Sequence, residues 1–271
     1  MPSEDELLAI AERAARTAGE ELLSHWGKGS TAVGTKSSPT DPVSEADLAA
    51  ERAIRDVLAR ERPEDAVLGE EGGEQGALSR SHDSLRWVVD PLDGTVNFLY
   101  GLPMFAVSVA CEDGRGTVAG VVLDPVREEC FAATRAGPAL LNGDPIEARR
   151  PHHLSETLVA TGFAYDPGVR AAQAVVLTHV LPAARDIRRG GAAALDLCWC
   201  ACGRVDAYFE RGLRAWDFAA GALICIRAGL SVRRLPSRAL PDGAARLPDG
   251  LVVAPPALID ELEALVAESP Q

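Results

Sequence analysis

Leu7, Leu8, Ala11, Ala15, Ala18, Leu22 and Trp26 recur at the spacing of one helix face, and Ser3 with Glu6 supplies a capping box ahead of them. The pattern predicts a first amphipathic helix that stops before Gly27. A polar, turn-rich stretch over 29–41 leads to a second helix, with Ser44 as N-cap and Asp47 at its third position. Ala50, Ile54, Val57 and Leu58 form its buried face, and Pro63 ends it. Short apolar runs then replace the helical period. Strands are predicted at 66–68 and ending at 87–89, then over 105–111, 117–123 and 129–134, with turns at Asp113-Gly114, Asp124-Pro125 and Asn142-Gly143. Residues 96–102 read as a brief helix or a loop.

The second half alternates. A strand over 158–162, a helix over 170–184, a short stretch around Ile187, a helix over 192–202 and a strand over 205–210 follow one another. An apolar helix then runs from Ala215 through Ile226 to Gly229, and a strand over 250–254 and a closing helix over 257–266 end the chain. Such alternation predicts an α/β fold in layers. The composition shifts through Arg149, Arg150, Pro151, His152 and His153. This divides the chain into an amino-terminal α+β subdomain, 1–150, carrying most of the candidate metal ligands, and a carboxyl-terminal α/β subdomain, 151–271, completing the site.

Composition narrows the picture. In 271 residues, 47% hydrophobic and 25% charged side chains exclude a largely disordered chain. Forty acidic against 27 basic residues give a net charge of -13, which argues against sequence-independent nucleic-acid binding. The same charge repels anionic substrates, so a phosphate-handling site needs its own local positive charge, and a metal would supply it. The amino terminus has no basic region followed by an apolar run, and no segment approaches the roughly 18 apolar residues of a membrane span. Six cysteines in apolar contexts fit a reduced, cytoplasmic setting.

The chemistry centres on 87–98, WVVDPLDGTVNF. Asp90 and Asp93 follow a buried strand with no basic residue between them, so they either point apart or share a cation. Pro91 and Gly94 predict a turn here. A turn leaves two readings open: backbone capping by both carboxylates, or convergence on a hard cation such as Mg2+. Glu70, flanked by Gly69, Gly72 and Gly73, also stands just past a strand, either as solvated loop or as ligand. Asp47 suits the helix dipole whatever else it does. Asp217 opens the apolar helix, followed by small residues where close backbone approach is expected.

Competing signatures fail. The carboxylates are three apart rather than the two of an aspartyl-phosphate nucleophile motif, and an EF-hand fails on the same spacing. Cys198 with Arg204 sits in an apolar helix, unsuited to a reactive thiolate. No second cluster completes a metal site with Cys198, Cys200 and Cys202, and no Walker or dinucleotide loop is present.

Taken together, DPVSEAD at 41–47, GEE at 69–71, WVVDPLDGTVNF at 87–98 and WDFAAG at 216–221 resemble the inositol monophosphatase family in order and spacing. The resemblance runs from about position 20 to the carboxyl terminus and is nearest to bacterial inositol-1-phosphate phosphatases. It implies a layered αβαβα sandwich of the sugar-phosphatase type, commonly dimeric, Mg2+-dependent and inhibited by Li+. It further implies hydrolysis of a phosphorylated polyol such as inositol-1-phosphate by metal-activated water. By this resemblance Glu70, Asp90, Asp93, Asp217 and the Leu92 carbonyl hold metal, while Asp47 and Thr95, with Glu70, serve the attacking water. The Gly94 and Thr95 amides hold phosphate, and Asp93, Ala193, Glu210 and Asp217 line the substrate pocket.

Alternatives keep the mechanism but change the ester, to histidinol phosphate, fructose 1,6-bisphosphate or a 3'-phosphoadenosine nucleotide. A further alternative is a non-catalytic metal-binding interaction protein. The chain departs from the family pattern at Gly72 and Ala192, where hydroxyl residues are usual, at Ser44 for Thr, and at Arg227 and Leu230.

Overall fold

The structure is a computed structural model, and it describes residues 2–28, 32–35, 42–76, 84–239 and 246–267. Helix α1 spans Glu4–His25, closed at its start by the predicted reciprocal Ser3–Glu6 hydrogen bonds of 2.7 and 3.2 Å. Strands β1 (Ala32–Thr35) and β2 (Pro42–Ser44) pair antiparallel and lead into α2 (Glu45–Glu61). Strands β3 (Ala66–Gly69), β4 (Gly73–Gln75) and β5 (Arg86–Asp93) precede a single turn of helix, α3 (Thr95–Leu99). Strands β6 (Ala106–Asp113), β7 (Gly116–Asp124), β8 (Glu129–Thr134), β9 (Ala139–Leu141) and β10 (Asp144–Pro145) follow as a meander. Its last hairpin turns on Asn142 and Gly143, both at positive φ, as a two-residue loop requires.

After a 3-10 turn at Leu154–Glu156 come β11 (Leu158–Thr161), α4 (Pro167–Ala183), β12 (Asp186–Arg188), α5 (Ala193–Ala201) and β13 (Ala207–Arg211). The chain continues through α6 (Ala215–Arg227), β14 (Ser231–Leu235), β15 (Arg238–Ala239), β16 (Arg246–Leu247), β17 (Gly250–Ala254) and α7 (Ile259–Ala267). An eight-stranded sheet has the order β10-β9-β8-β7-β6-β5-β3-β4, and a five-stranded sheet the order β12-β11-β13-β17-β14.

Alternation along the strands sets the layers. In β5, Trp87 and Val89 face α1 and α2, while Val88 faces the helices α5 and α6 between the sheets. In β13, Tyr208 faces that same middle layer and Ala207 and Phe209 face α4 and α7. Three cores, the middle one running around α5/α6 from one sheet to the other, therefore hold together five layers, α1/α2, large sheet, α5/α6, small sheet, α4/α7, which is the expected αβαβα sandwich. The small residues after Asp217 do allow close approach, since a Cβ on Gly120 would lie 2.8 Å from Ala220 Cα. No described helix is long and apolar enough to cross a membrane.

The stretch around Pro91 differs from expectation. Strand β5 does not stop at Val89 and turn; it continues to Asp93 with a break in register. Asp90 pairs with Ser108 and Asp93 with Ala106, so three steps on β5 oppose two on β6, as in a β-bulge. Pro91 fits because a bulge leaves a residue outside the ladder. Strand β14 has no counterpart in the sequence reading, because it is an edge strand with exposed Arg233 and Arg234 in place of alternating apolar residues.

Candidate active site

The bulge puts two carboxylates on one face. In a regular strand, residues three apart point to opposite sides of the sheet; the extra residue restores Asp90 and Asp93 to the middle layer, opposite Ser108 and Ala106. Asp90 is 2% exposed, and its Oδ1 accepts the Leu92 amide at 3.0 Å. Asp93 accepts the amides of Ala193 at 3.2 Å and Ala194 at 2.7 Å, at the start of α5. Ala192 occupies the N-cap position there without a side-chain cap, so a carboxylate from the large sheet serves this helix end. Gly94 follows at φ +93, where a Cβ would lie 2.9 Å from the Met104 carbonyl.

Parallel pairing of β3 with β5 sets Gly69 beside Val89, and the Glu70 amide donates to the Val89 carbonyl at 3.2 Å. Glu70 thereby stands level with Asp90. Helix α6 docks on β6 through the Ser108 hydroxyl, which donates to the Trp216 carbonyl at 3.0 Å. That contact sets Asp217, whose Oδ2 accepts the Arg214 amide at 2.6 Å, over the same pair. From the small sheet comes Glu210, held by the Tyr208 hydroxyl at 2.6 Å.

These acids sense one another. Burial pushes Asp90 well above the usual carboxylate range, reinforced by the charges of Glu70, Asp93 and Asp217 and by a hydrogen bond with Glu70. Burial likewise pushes Asp93 up to about 7 against the pull of the Ala194 and Ala193 amides, with Glu210 and Glu70 adding to the rise. Asp217 is raised by burial, opposed by the Arg214 amide and supported by Asp93, Glu70 and Glu210. Glu210 is also raised by burial, partly offset by Tyr208 and Arg189. Elsewhere Asp113 is held below its usual range by Arg135, the ordinary solution for a buried acid.

No three of these side chains close into a metal-holding group among the described residues. Their chemistry nonetheless fits a hard divalent cation. All are oxygen donors converging from both sheets, they repel while ionised, and none of Asp90, Asp93 or Asp217 is raised or lowered by a basic side chain.

Beside them, the Thr95 hydroxyl stands 3.0 Å from Asp47 Oδ1 and 3.1 Å from the Leu92 carbonyl. Asp47 Oδ2 accepts the Ser44 amide at 2.9 Å and the Ser44 hydroxyl at 2.5 Å. Asp47 thus serves the helix start and reaches Thr95 with its other oxygen. All ten residues singled out from the sequence, Asp47, Glu70, Asp90, Leu92, Asp93, Gly94, Thr95, Ala193, Glu210 and Asp217, belong to this one connected region.

Other residues there were not singled out. Asn97 donates to the carbonyls of Met104 at 2.7 Å and Gly190 at 3.0 Å, joining loops of the two halves. Asp196, 2% exposed, is raised by burial and then by Glu210 and Asp93. Glu51 and Arg55 bind the loop that carries Glu70; their four-residue spacing from Asp47 along α2 is the signal that would have found them. Of the departures, Arg227 donates to the carbonyls of Gly137 at 2.5 Å and Ala136 at 3.3 Å, and Leu230 is buried in the middle core.

The sequence model of the Inositol monophosphatase family matches residues 3–269. Inositol-1-monophosphatase SuhB of Mycobacterium tuberculosis (strain ATCC 25618 / H37Rv) is 45% identical over 245 residues, 89% of this chain and 83% of that protein. Nus factor SuhB of Xylella fastidiosa is 43% identical over 221 residues, 81% of this chain and 78% of that protein. The crystal structure of extragenic suppressor protein suhB from Bartonella henselae shares the fold with a TM-score of 0.85 at 32% identity, covering 97% of this chain and 99% of that one.

Proposed function

The chain belongs to the inositol monophosphatase family, a phosphatase family, and from that premise we propose that it is a Mg2+-dependent hydrolase of inositol-1-phosphate. One observation carries this reading: Asp90 and Asp93 from the large sheet, Asp217 from α6 and Glu210 from the small sheet converge with Glu70 and raise one another's proton affinity beside a threonine–aspartate pair.

In this reading Glu70, Asp90, Asp93, Asp217 and the Leu92 carbonyl hold Mg2+. When bound, Mg2+ neutralises phosphate charge and makes water acidic enough to act as a nucleophile near neutral pH. The remaining work falls to the chain. The Thr95 hydroxyl has one proton and two acceptors within reach. Donating it to Asp47 Oδ1 leaves the Thr95 oxygen free to accept from the attacking water and orient it toward phosphorus, with Glu70 beside it. The amides of Gly94 and Thr95 hold phosphate oxygens. Glu210, fixed by Tyr208, and Asp93 accept hydroxyl protons of the polyol, and Ala193 and Asp217 complete the wall. No covalent nucleophile is needed, because phosphoryl transfer asks mainly for positioning and charge neutralisation.

Phosphate release from inositol-1-phosphate, histidinol phosphate, fructose 1,6-bisphosphate and a 3'-phosphoadenosine nucleotide, with and without Mg2+, tests the assignment. Mg2+-dependent preference for inositol-1-phosphate is expected; preference for another ester reassigns the substrate, and Mg2+ binding without turnover favours the non-catalytic alternative. Inhibition by Li+ belongs to the same reading and is measured in the same assay. A homodimer in a reducing cytoplasm suits the family and the six free cysteines.

A second reading is favoured by the Xylella fastidiosa relative named Nus factor SuhB. A role of that kind is compatible with the hydrolase site. The net charge of -13 argues that it would not work through non-specific contact with nucleic acid.

A further inference from the structure

We propose that Glu51 and Arg55 are positioning residues that fix the loop bearing Glu70, and that Gly72 is the residue their contact requires. The proposal rests on the reading of Glu70 as a Mg2+ ligand. Glu51 is 3% exposed, and its two carboxylate oxygens accept separate loop amides, Glu71 at 2.8 Å and Gly72 at 2.9 Å. Arg55, one helical turn on, donates to Glu51 Oε1 at 2.8 Å and to the Gly73 carbonyl at 2.9 Å. The loop is therefore gripped through backbone atoms, by α2 at residues 71–73 and by the Val89 carbonyl of β5 at the Glu70 amide itself.

The same helix carries Asp47, so one rigid element references both Glu70 and the residue that meets Thr95. A helix is a better reference than a loop for groups that must hold their separation to within about half an ångström.

The grip accounts for Gly72. A Cβ at this position would lie 2.6 Å from Glu51 Oε1 and 2.9 Å from Arg55 Nη2. A side chain at 72, including the hydroxyl residue usual in the family, requires Glu51 Oε1, which accepts the Gly72 amide, or Arg55 Nη2, which donates to the Gly73 carbonyl, to shift. Gly72 lacks that hydroxyl and gains direct contact between the loop backbone and an ion pair of buried Glu51 with half-buried Arg55.

The test uses the full chain, with Mg2+ binding by calorimetry and amide exchange measured in the absence of metal. Glu70→Gln should abolish Mg2+ binding at the site, which checks the underlying reading. Glu51→Gln should speed exchange at Glu71 and Gly72 and raise the Mg2+ Kd roughly 10- to 100-fold, with the KM for ester little changed. Gly72→Ser should do the same, and less so in a Glu51→Asp background, where the shorter side chain vacates the space.

Wild-type exchange and wild-type Kd in Glu51→Gln, with binding lost in Glu70→Gln, would overturn the proposal and leave the metal assignment standing. An unchanged Kd in Glu70→Gln would overturn the metal assignment and the proposal together. Should Glu51→Gln fail to fold, Gly72→Ser alone decides: a wild-type Kd there refutes the proposal.

Discussion

Asp90 and Asp93 lie on the same face of one strand although they are three positions apart, because β5 carries one residue more than β6 between the pairs Asp90–Ser108 and Asp93–Ala106. Both carboxylates are thereby buried toward the middle layer, within reach of Glu70 and Asp217. Their raised proton affinities follow from burial first and from that crowding second.

The crowding makes metal-free stability depend on pH. For groups whose folded pKa is raised, the folded chain binds protons that the unfolded chain has already released, so stability falls as pH rises toward the folded value. Asp93, pushed up to about 7, places the end of this window near neutrality. The arginine-paired Asp113, Glu61 and Glu129, all lowered, finish titrating below it. Between about pH 5 and 7 the Tm in chelator should therefore fall, and saturating Mg2+ should flatten the decline. Thermal melts with and without Mg2+ measure this.

Thr95→Val removes the hydroxyl that meets Asp47 while keeping the shape of the side chain. It should lower kcat by about 10²- to 10⁴-fold, the range for a lost proton-handling group, and leave the Mg2+ Kd near wild type. A parallel rise in Kd would show that Thr95 acts through the metal rather than on water.

Gly94→Ala introduces a Cβ at φ +93, 2.9 Å from the Met104 carbonyl and 3.2 Å from the Ala192 methyl. The strain should destabilise the fold by about 1–3 kcal/mol in denaturant titrations and reduce turnover, because the turn leading into α3 must shift.

Glu210→Gln should raise the KM for inositol-1-phosphate by about tenfold or more, the loss expected for a hydrogen bond to a charged group. An aryl phosphate without hydroxyls should be hydrolysed with nearly unchanged KM. Equal effects on both esters would place Glu210 outside the polyol contact.

Much of this fold was legible because burial leaves a period in the sequence. The capping boxes at Ser3 and Ser44, the apolar faces of α1 and α2 and the Asn142-Gly143 hairpin turn all follow local rules that tertiary structure left intact. Strand β14 was not legible, since an edge strand exposing Arg233 and Arg234 has no alternating face. The acids were legible as residues but not in their geometry. Asp90 to Asp93 read as a turn, because Pro91 and Gly94 signal a turn and a bulge equally well and only the pairing with β6 distinguishes them. The Asp93 bond to α5 spans 100 residues and carries no local signal. Glu51 and Arg55 carry no signal of their own on the α2 face beyond their spacing from Asp47, and only the approach of the 69–73 loop makes them part of the site.

The most direct test is phosphate release from inositol-1-phosphate by wild type and Asp90→Asn in saturating Mg2+, with the melting temperature of each recorded. Asp90→Asn should lose more than about a hundredfold in turnover while melting at or above the wild-type temperature in chelator, because a carboxyl whose ionisation is opposed by burial and by neighbouring acids has been replaced by a neutral amide. Wild-type turnover by a folded Asp90→Asn protein, or full wild-type activity in chelator, would contradict the account.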